Sequence, residues 1–331
     1  MKKNIAIVGA TGAVGQEMLN VILERNFPFQ TLRLFASKQS AGKKITIHNQ
    51  DFIVEAFTDH CLDKIDIVFG ATNASLAKKI AKQTKQNNAL FIDNSSAFRL
   101  DKDVPLIIPE VNKDDFLTHQ GIIANPNCAT IIALTALQPL HAYAHIQRMI
   151  VSTYQAVSGA GIHGIQELQQ QMKNINEHKP IQIQYFPYQI AYNLIPQIGA
   201  FHSNGFSDEE LKLEKESKKI LHDSSLLVNC TCVRVPVIRS HSESIYVEFK
   251  QPIDIETAKQ LLQKGKGIKF IDHETTYPMP LDTSNQDFIY VGRIRKDPNP
   301  YVHAFSLWCC GDQLRKGAAT NAVQIAELSL Q

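Results

Sequence analysis

Apolar residues in the first third of the chain gather into short β-rich runs separated by helical patterns. The runs are NIAIVG at 4–9, TLRLFAS at 31–37, DIVFGAT at 66–72 and ALFIDNS at 89–95, and the helical spacing covers 13–25 and 74–85. In the first helix Val14, Met18, Val21 and Ile22 share one stripe, as a helix laid on a sheet requires. Strand and helix in alternation predict βαβ units and a parallel sheet. Within KITIHNQDFIVEAF, Asn49 and Gln50 separate two β-rich stretches, so a hairpin is expected to interrupt the winding.

Beyond Asn127 the pattern changes. A helix is expected near 129–142, β-runs at 146–157, 230–238, 244–249 and 302–309, and further helices near 162–173, 208–221 and 255–264. Long strands in succession predict an antiparallel or mixed sheet in a second domain. Residues 174–206, with Pro180, Pro187 and Pro196, read as irregular surface or interface chain. The last helix, 314–329, aligns Ala318, Ala322, Ile325 and Ala326 and is expected to return to the first domain.

A length of 331 residues agrees with two domains. With 34 basic and 32 acidic residues the net charge is +2, which excludes nucleic-acid binding driven by charge and points to a small partner. No segment approaches the roughly 20 apolar residues of a membrane helix. The apolar stretch ending at Gly9 is too short for a signal peptide, so a cytoplasmic location is expected. Six cysteines (61, 128, 230, 232, 309 and 310) in such a chain read as free thiols, without the paired C-x-x-C spacing of a zinc site. His141 and His145 share a helix face, but no third ligand is evident, and no metal is expected.

Two segments carry chemistry. Gly9-Ala10-Thr11-Gly12-Ala13-Val14-Gly15 follows a strand and opens a helix, where a dinucleotide-binding turn belongs. Its glycines allow a pyrophosphate to approach backbone N–H groups at the helix N-terminus. The spacing is G-x-x-G-x-x-G, and a glycine turn in an unrelated βαβ unit is the plain alternative. After the second strand, where an NAD site places an acid for the ribose, the chain has Ser37-Lys38-Gln39-Ser40. Hydroxyls and a cation there suit a 2′-phosphate, so NADP is expected. The second segment is Asn125-Pro126-Asn127-Cys128, which joins a β-run to a helix and puts Cys128 at a helix N-terminus, where a thiolate is favoured. A buried structural cysteine is the alternative reading. On the strand pattern Arg234 is expected on the face opposite Thr231, Val233, Val235 and Val237, open to ligand or water, and His241 in a loop beyond a turn. Ser207-x-x-Glu210 reads as a capping box, and Glu209 with Lys212 as either a surface ion pair or a site.

With these segments in view, the chain resembles the aspartate-semialdehyde dehydrogenases. GATGAVG at 9–15, DNSSAFR at 93–99, NPNC at 125–128, Gln155 with the AVSGAG that follows, NGFSDEELK at 204–212, CVRVPVIRSHSES at 232–244, VGRIRKD and LRKGAATNAVQIAE carry the likeness in order over nearly the whole length. The resemblance implies an α/β fold: a Rossmann-like NADP-binding domain, 1–126 joined by a C-terminal helix at 312–331, and a second α+β catalytic and dimerisation domain, 127–311. It implies a homodimer that reduces L-aspartyl 4-phosphate to L-aspartate 4-semialdehyde and phosphate with NADPH, in lysine, threonine and methionine synthesis. Cys128 is then the nucleophile, Gln155 positions the thioester and His241 is the acid and base. Arg234 holds the substrate carboxylate, Glu209 its ammonium, and Arg99, Asn127 and Lys212 the phosphate. Gly9, Thr11, Gly12, Ala13, Val14, Gly15, Ser37, Lys38, Ser40, Ser158, Gly159 and Asn321 are the cofactor contacts it implies. Departures are Gln39 where many relatives have Arg, Gly70-Ala71-Thr72-Asn73 in place of a glycine-rich loop, and Cys309-Cys310-Gly311, read as packing. N-acetylglutamyl-phosphate reductase is the nearest alternative enzyme, and a dinucleotide-sensing or dimer-forming module without catalysis the alternative of another class.

Overall fold

β1 (Lys3–Val8) is apolar on both faces, the condition for a central strand with helices on either side. In the computed structural model, which describes residues 2–300 and 302–330, it is followed by α1 (Ala13–Glu24), β2 (Phe29–Ala36), β3 (Lys44–Ile47), β4 (Gln50–Ala56), β5 (Ile67–Gly70), α2 (Ala74–Gln86), β6 (Leu90–Asp93), α3 (Pro109–Asn112) and β7 (Ile122–Ala124). The strands form one sheet in the order β3-β4-β2-β1-β5-β6-β7. All pairings are parallel except the β3–β4 hairpin, whose two-residue turn takes positive φ at His48 and Asn49. β7 is too short to stand out in the sequence, and it closes the edge by pairing with β6.

The chain then builds a second sheet with α4 (Cys128–Ala144), β8 (Ile146–Gln155), α5 (Gly161–Asn176), α6 (Asp208–Ile220), β9 (Leu227–Arg234), β10 (His241–Phe249), α7 (Ile255–Gln263), β11 (Ile268–Ile271), α8 (Pro280–Thr283), β12 (Ile289–Lys296) and β13 (Ala304–Gly311). Its order is β11-β12-β13-β10-β8-β9, and it is mixed: β8–β9 and β11–β12 run parallel, the other neighbours antiparallel. α9 (Thr320–Leu328) ends the chain. Its Ala322, Val323, Ile325 and Ala326 pack with Ile5, Ile7, Met18 and Ile22 on one face of the first sheet, while Ala77, Ile80 and Ala81 of α2 cover Ala6 and Val8 on the other.

Two units result, one comprising residues up to Asn127 and again from Ala318, the other Cys128–Gly317. Residues 312–317 lie in the second unit. Asp312 is buried there and accepts N–H groups from Asn285 (2.7 Å), Leu314 (2.9 Å) and Arg315 (3.2 Å) together with Arg239 Nε (2.5 Å), so the regular part of the last helix starts at Thr320.

The irregular segment after α5 is held by that helix's polar stripe. Gln171 is buried; its Oε1 accepts the N–H groups of Ile190 and Ala191, both at 3.0 Å, and its Nε2 donates to Gln182 O at 3.2 Å. Asn174 donates to Pro180 O at 3.0 Å, and Glu167 accepts the N–H groups of Gln184 and Tyr185. Side chains thus replace the ladder that prolines deny to this segment. Gln171→Leu, similar in volume, leaves two buried N–H groups without acceptors, each costing about 1–3 kcal/mol. We expect a clear fall in the urea midpoint and proteolytic cutting within 182–191. An unchanged midpoint would show that the segment is held by something else.

Candidate active site

In the first unit the turn after β1 is shaped by close approach. Gly9 has φ +92°, and a Cβ there would lie 2.2 Å from Ala71 O; a Cβ on Gly15 would lie 2.2 Å from Gly9 O. The turn is held by Phe35 O, which accepts from Gly9 N (2.8 Å) and Ala10 N (3.1 Å). Gly12 caps α1 without a side chain, and Thr11, Ala13 and Val14 are half-buried. Past β2, Ser37 and Lys38 are exposed and Ser40 half-buried, whereas Arg33 on the strand is engaged by Glu55. These residues fit a dinucleotide. Asn73, in the loop that departs from the family pattern, caps α2 by accepting Leu76 N–H at 3.0 Å.

Next to this turn an asparagine chain fixes the strand ends. Asn94 Nδ2 donates to Gly70 O and Asn125 Nδ2 to Asn94 Oδ1, both at 2.8 Å, and Asn321 Nδ2 donates to Asn125 Oδ1 (2.7 Å) and Ile107 O (2.9 Å). Asn321 Nδ2 is thereby engaged within the first unit. Arg99 is buried and donates from Nη2 to Asn94 O at 2.8 Å, and Asn127 is buried.

In the second unit the strand register assembles the rest. Gln155 on β8 pairs with Arg234 on β9, and His241 on β10 with Gly311 on β13; Ser242 pairs with Tyr154, which puts His241 alongside Gln155. His241 is therefore the first residue of a central strand, correcting the loop position expected for it. The polar run His-Ser-Glu-Ser hid the strand, which is paired on both sides. Arg234 lies opposite Thr231 and Val233 as expected, but the face it shares with Cys230 and Cys232 is the buried one, which corrects its expected openness to water.

α6 brings Glu209 to this row. Glu210 locks the helix start by accepting Ser207 N–H (2.6 Å) and, with its other oxygen, Cys232 N–H (3.0 Å) of the edge strand. Glu209, next along the chain, is buried and accepts from Gln155 Nε2 (3.3 Å) and Lys212 Nζ (3.2 Å). Burial lowers the pKa of Arg234, opposed first by the charge of Glu209 and then by that of Cys128, which opens α4 half-exposed. Arg234 Nη1 donates to Ala156 O at 2.7 Å, and Ala156 N–H donates to His241 Nδ1 at 3.1 Å. A Cβ on Gly159 would lie 2.8 Å from Arg234 Nη1 and 3.1 Å from His241 Nε2, and one on Gly317 would lie 3.1 Å from Cys128 Cβ. Gly159, expected as a cofactor contact, thus packs against Arg234 and His241, and Gly317 and the Ala156 peptide, which were not expected, border the same groups. Ser158 is buried against Gln313 Nε2, whose Oε1 takes Ser240 N–H at 2.9 Å.

Family models for the semialdehyde dehydrogenase NAD-binding domain and dimerisation domain match residues 4–119 and 137–316. The aspartate-semialdehyde dehydrogenase of Campylobacter jejuni is 46% identical over 343 residues, covering 100% of this chain and 98% of that relative. The chain belongs to the aspartate-semialdehyde dehydrogenase family. A crystal structure of aspartate semialdehyde dehydrogenase II of Vibrio cholerae, complexed with ASA, superposes with a TM-score of 0.97 at 41% identity, covering 100% of this chain and 98% of that one. The aspartate semialdehyde dehydrogenase of Candida albicans, solved with NADP, superposes with a TM-score of 0.76 at 27% identity, covering 99% and 98%.

In this aspartate-semialdehyde dehydrogenase fold one carboxyl lies directly beneath the row. Glu243 pairs with Thr153 and Cys309, has no exposure, and neither of its oxygens has a hydrogen-bond partner. Burial raises its pKa well above 4.5, so it stays protonated in the fold. The unfolded chain ionises Glu243 as pH rises past 4.5 and the folded one does not, so this group's contribution is complete below that pH and declines up to the folded pKa, by about 1.4 kcal/mol per pH unit. Glu243→Gln removes the slope. Urea midpoints from pH 5 to 8 should show the variant gaining on the parent as pH rises. A constant difference would mean that Glu243 is ionised in the fold.

Proposed function

We propose that the chain is an NADP-dependent aspartate-semialdehyde dehydrogenase that reduces L-aspartyl 4-phosphate to L-aspartate 4-semialdehyde through a thioester on Cys128, a step of lysine, threonine and methionine synthesis. The observation that carries the reading is the buried pair of opposite charges, Glu209 and Arg234, in one row with Gln155 and His241. An α-amino acid head group presents an ammonium and a carboxylate together, and this pair matches both: a carboxylate for the cation and a planar fork for the anion. An acylated amine brings no cation to Glu209, which disfavours an N-acetylated substrate.

Cys128 attacks the acyl phosphate with phosphate as leaving group, favoured as thiolate by the start of α4 and by Arg234. Gln155, a neutral amide, orients the carbonyl without titrating. His241 stands beside Arg234 against Gly159 and is, by the resemblance, the acid and base. By the resemblance, Arg99, Asn127 and Lys212 hold the phosphate. The turn at 9–15 holds the pyrophosphate of NADP and Ser37, Lys38 and Ser40 its 2′-phosphate, and the bound reduced nicotinamide supplies the hydride. Asn321 supports that site through Asn125. The dimerisation-domain match supports a homodimer.

Cys128→Ala should bind NADPH and turn nothing over; full activity in that variant would sink the thioester. Glu209→Gln should lower kcat/KM for aspartate semialdehyde by about 2–5 kcal/mol in activation free energy, and Arg234→Lys should also be severe. The comparison that decides is kcat/KM for aspartate semialdehyde against N-acetylglutamate semialdehyde on one preparation, where a preference for the acetylated compound refutes the assignment. For the cofactor, Lys38→Glu should narrow or reverse a preference for NADP over NAD. A native enzyme that uses NAD better would contradict the role given to the loop after β2.

A further inference from the structure

We infer that Asp93 is a positioning residue for Arg99: together with Ser95 it sets the turn after β6, and so fixes where the guanidinium that receives phosphate stands. The inference deepens the functional reading given above and rests on Arg99 as a phosphate-holding group. Both residues belong to the first unit, away from the row on the second sheet. β6 ends at Asp93, and the chain reaches Arg99 six residues later without forming helix or strand. A polar loop of that kind ordinarily lies on the surface and moves. Here Asp93, Ser95 and Arg99 are all buried.

Side chains hold the turn where the strand ladder has ended. Asp93 Oδ1 accepts Ser95 N–H at 3.0 Å and Oδ2 accepts the Ser95 hydroxyl at 2.7 Å, while Ser95 Oγ in turn accepts Ala97 N–H at 3.1 Å. Asn94, between them, ties the turn to the neighbouring strand: its N–H (3.0 Å) and its Nδ2 (2.8 Å) both donate to Gly70 O at the end of β5. Phe98 sets its ring edge-on to Phe91 of β6, with centroids 6.5 Å apart, so the residue before Arg99 is anchored on the strand that the turn has just left. Arg99 then closes the turn, Nη2 donating to Asn94 O at 2.8 Å.

The carbonyl that holds Arg99 therefore belongs to Asn94, and the direction of that carbonyl is decided by Asp93 and Ser95 on either side of it. β5, β6 and β7 run parallel and end here, at the carboxyl edge of the sheet, where α/β folds bind their ligands. A long, flexible cation that has to meet a phosphate in one orientation binds it better when its own freedom has already been removed. The charge of Asp93 is the lesser influence. Burial pushes its carboxyl pKa up, and the two bonds from Ser95, ahead of the charge of Arg99, pull it back. Arg99 is thus near enough to be felt by the carboxylate but weighs less on it than Ser95 does, which puts the work of Asp93 in the shape of the turn.

The test is steady-state kinetics of the full-length protein with aspartate semialdehyde, NADP and inorganic phosphate, each varied in turn. Asp93→Ala and Ser95→Ala should raise the KM for phosphate about tenfold or more, with the KM values for NADP and aspartate semialdehyde within about twofold of the parent's. Asp93→Asn should recover most of that loss, because its amide oxygen can accept Ser95 N–H and its NH2 can donate to Ser95 Oγ, whose other lone pair keeps Ala97 N–H. Ser95→Ala, which leaves the Asp93 bond to Ser95 N–H in place, carries the test where Asp93→Ala does not fold. Equal rises in all three KM values would show a turn that serves only the fold, and an Asn variant no better than Ala would put the effect in the charge; either overturns the proposal. Arg99→Gln separates the two possible failures. A parent-like KM for phosphate in Arg99→Gln refutes the phosphate role of Arg99 and the inference with it. A raised value there, with parent-like values in Asp93→Ala and Ser95→Ala, refutes the role of Asp93 alone.

Discussion

Arg234, Gln155, His241 and Gly311 share a row because β8 keeps β9 parallel on one side and β10 antiparallel on the other in one register. A shift by one residue in either pairing would move a functional side chain to the opposite face of the sheet. The apolar rows further along the strands guard the register: Ile245 pairs with Val151 and Leu307, and Val247 with Met149 and Phe305, all buried. Slippage would turn those out as well. The hydrophobic energy of the lower rows therefore sets the geometry of the polar row at the top, at about 25 cal/mol per Å² of apolar area that a slip would expose.

That division of labour explains how so many polar groups are buried at one end of one sheet. Glu209 and Arg234 offset one another, and Gln155 and Ala156 O satisfy part of each. Glu243 avoids the charge altogether by keeping its proton. The charges that act on Arg234 come from Glu209 first and then Cys128.

The sequence displayed elements whose periodicity is strong and hid those whose residues are polar or few. β1, β2, β5, α1 and α2 lie close to where their apolar patterns put them, because both faces of that sheet are covered. β10 was expected to begin at 244, because a histidine, two serines and a glutamate do not look like a central strand; the pairing with β8 and β13 that keeps them extended is encoded some 90 residues before and 70 after. β12 was passed over for a similar reason, since Arg293, Arg295 and Lys296 break its apolar run. Arg234 was placed on the right face, opposite Thr231 and Val233, but that face was read as open to water because cysteine is a less obvious core residue than valine, and Cys230 and Cys232 mark it as the buried side. Cys128, Gln155, Glu209 and His241 could be named from motifs. What the motifs could not show is the Ala156 peptide between His241 and Arg234, for a backbone hydrogen bond leaves no trace in the identity of an alanine.

Glycines carry a different kind of signal in the two units, and the difference separates conformational need from functional need. Gly9 takes a left-handed φ of +92° and faces backbone at 2.2 Å, so any side chain there meets an immovable carbonyl as well as strain, and the turn itself would fail. Gly159 and Gly317 need no such φ, and what a Cβ would meet is Arg234, His241 and the Cβ of Cys128. A methyl at either could be taken up by the backbone but would press on groups whose positions have to be held to a fraction of an ångström for reaction. The absence of side chains at 159 and 317 therefore follows from the side chains of the row, and at 9 and 15 from the close approach of the backbone to itself.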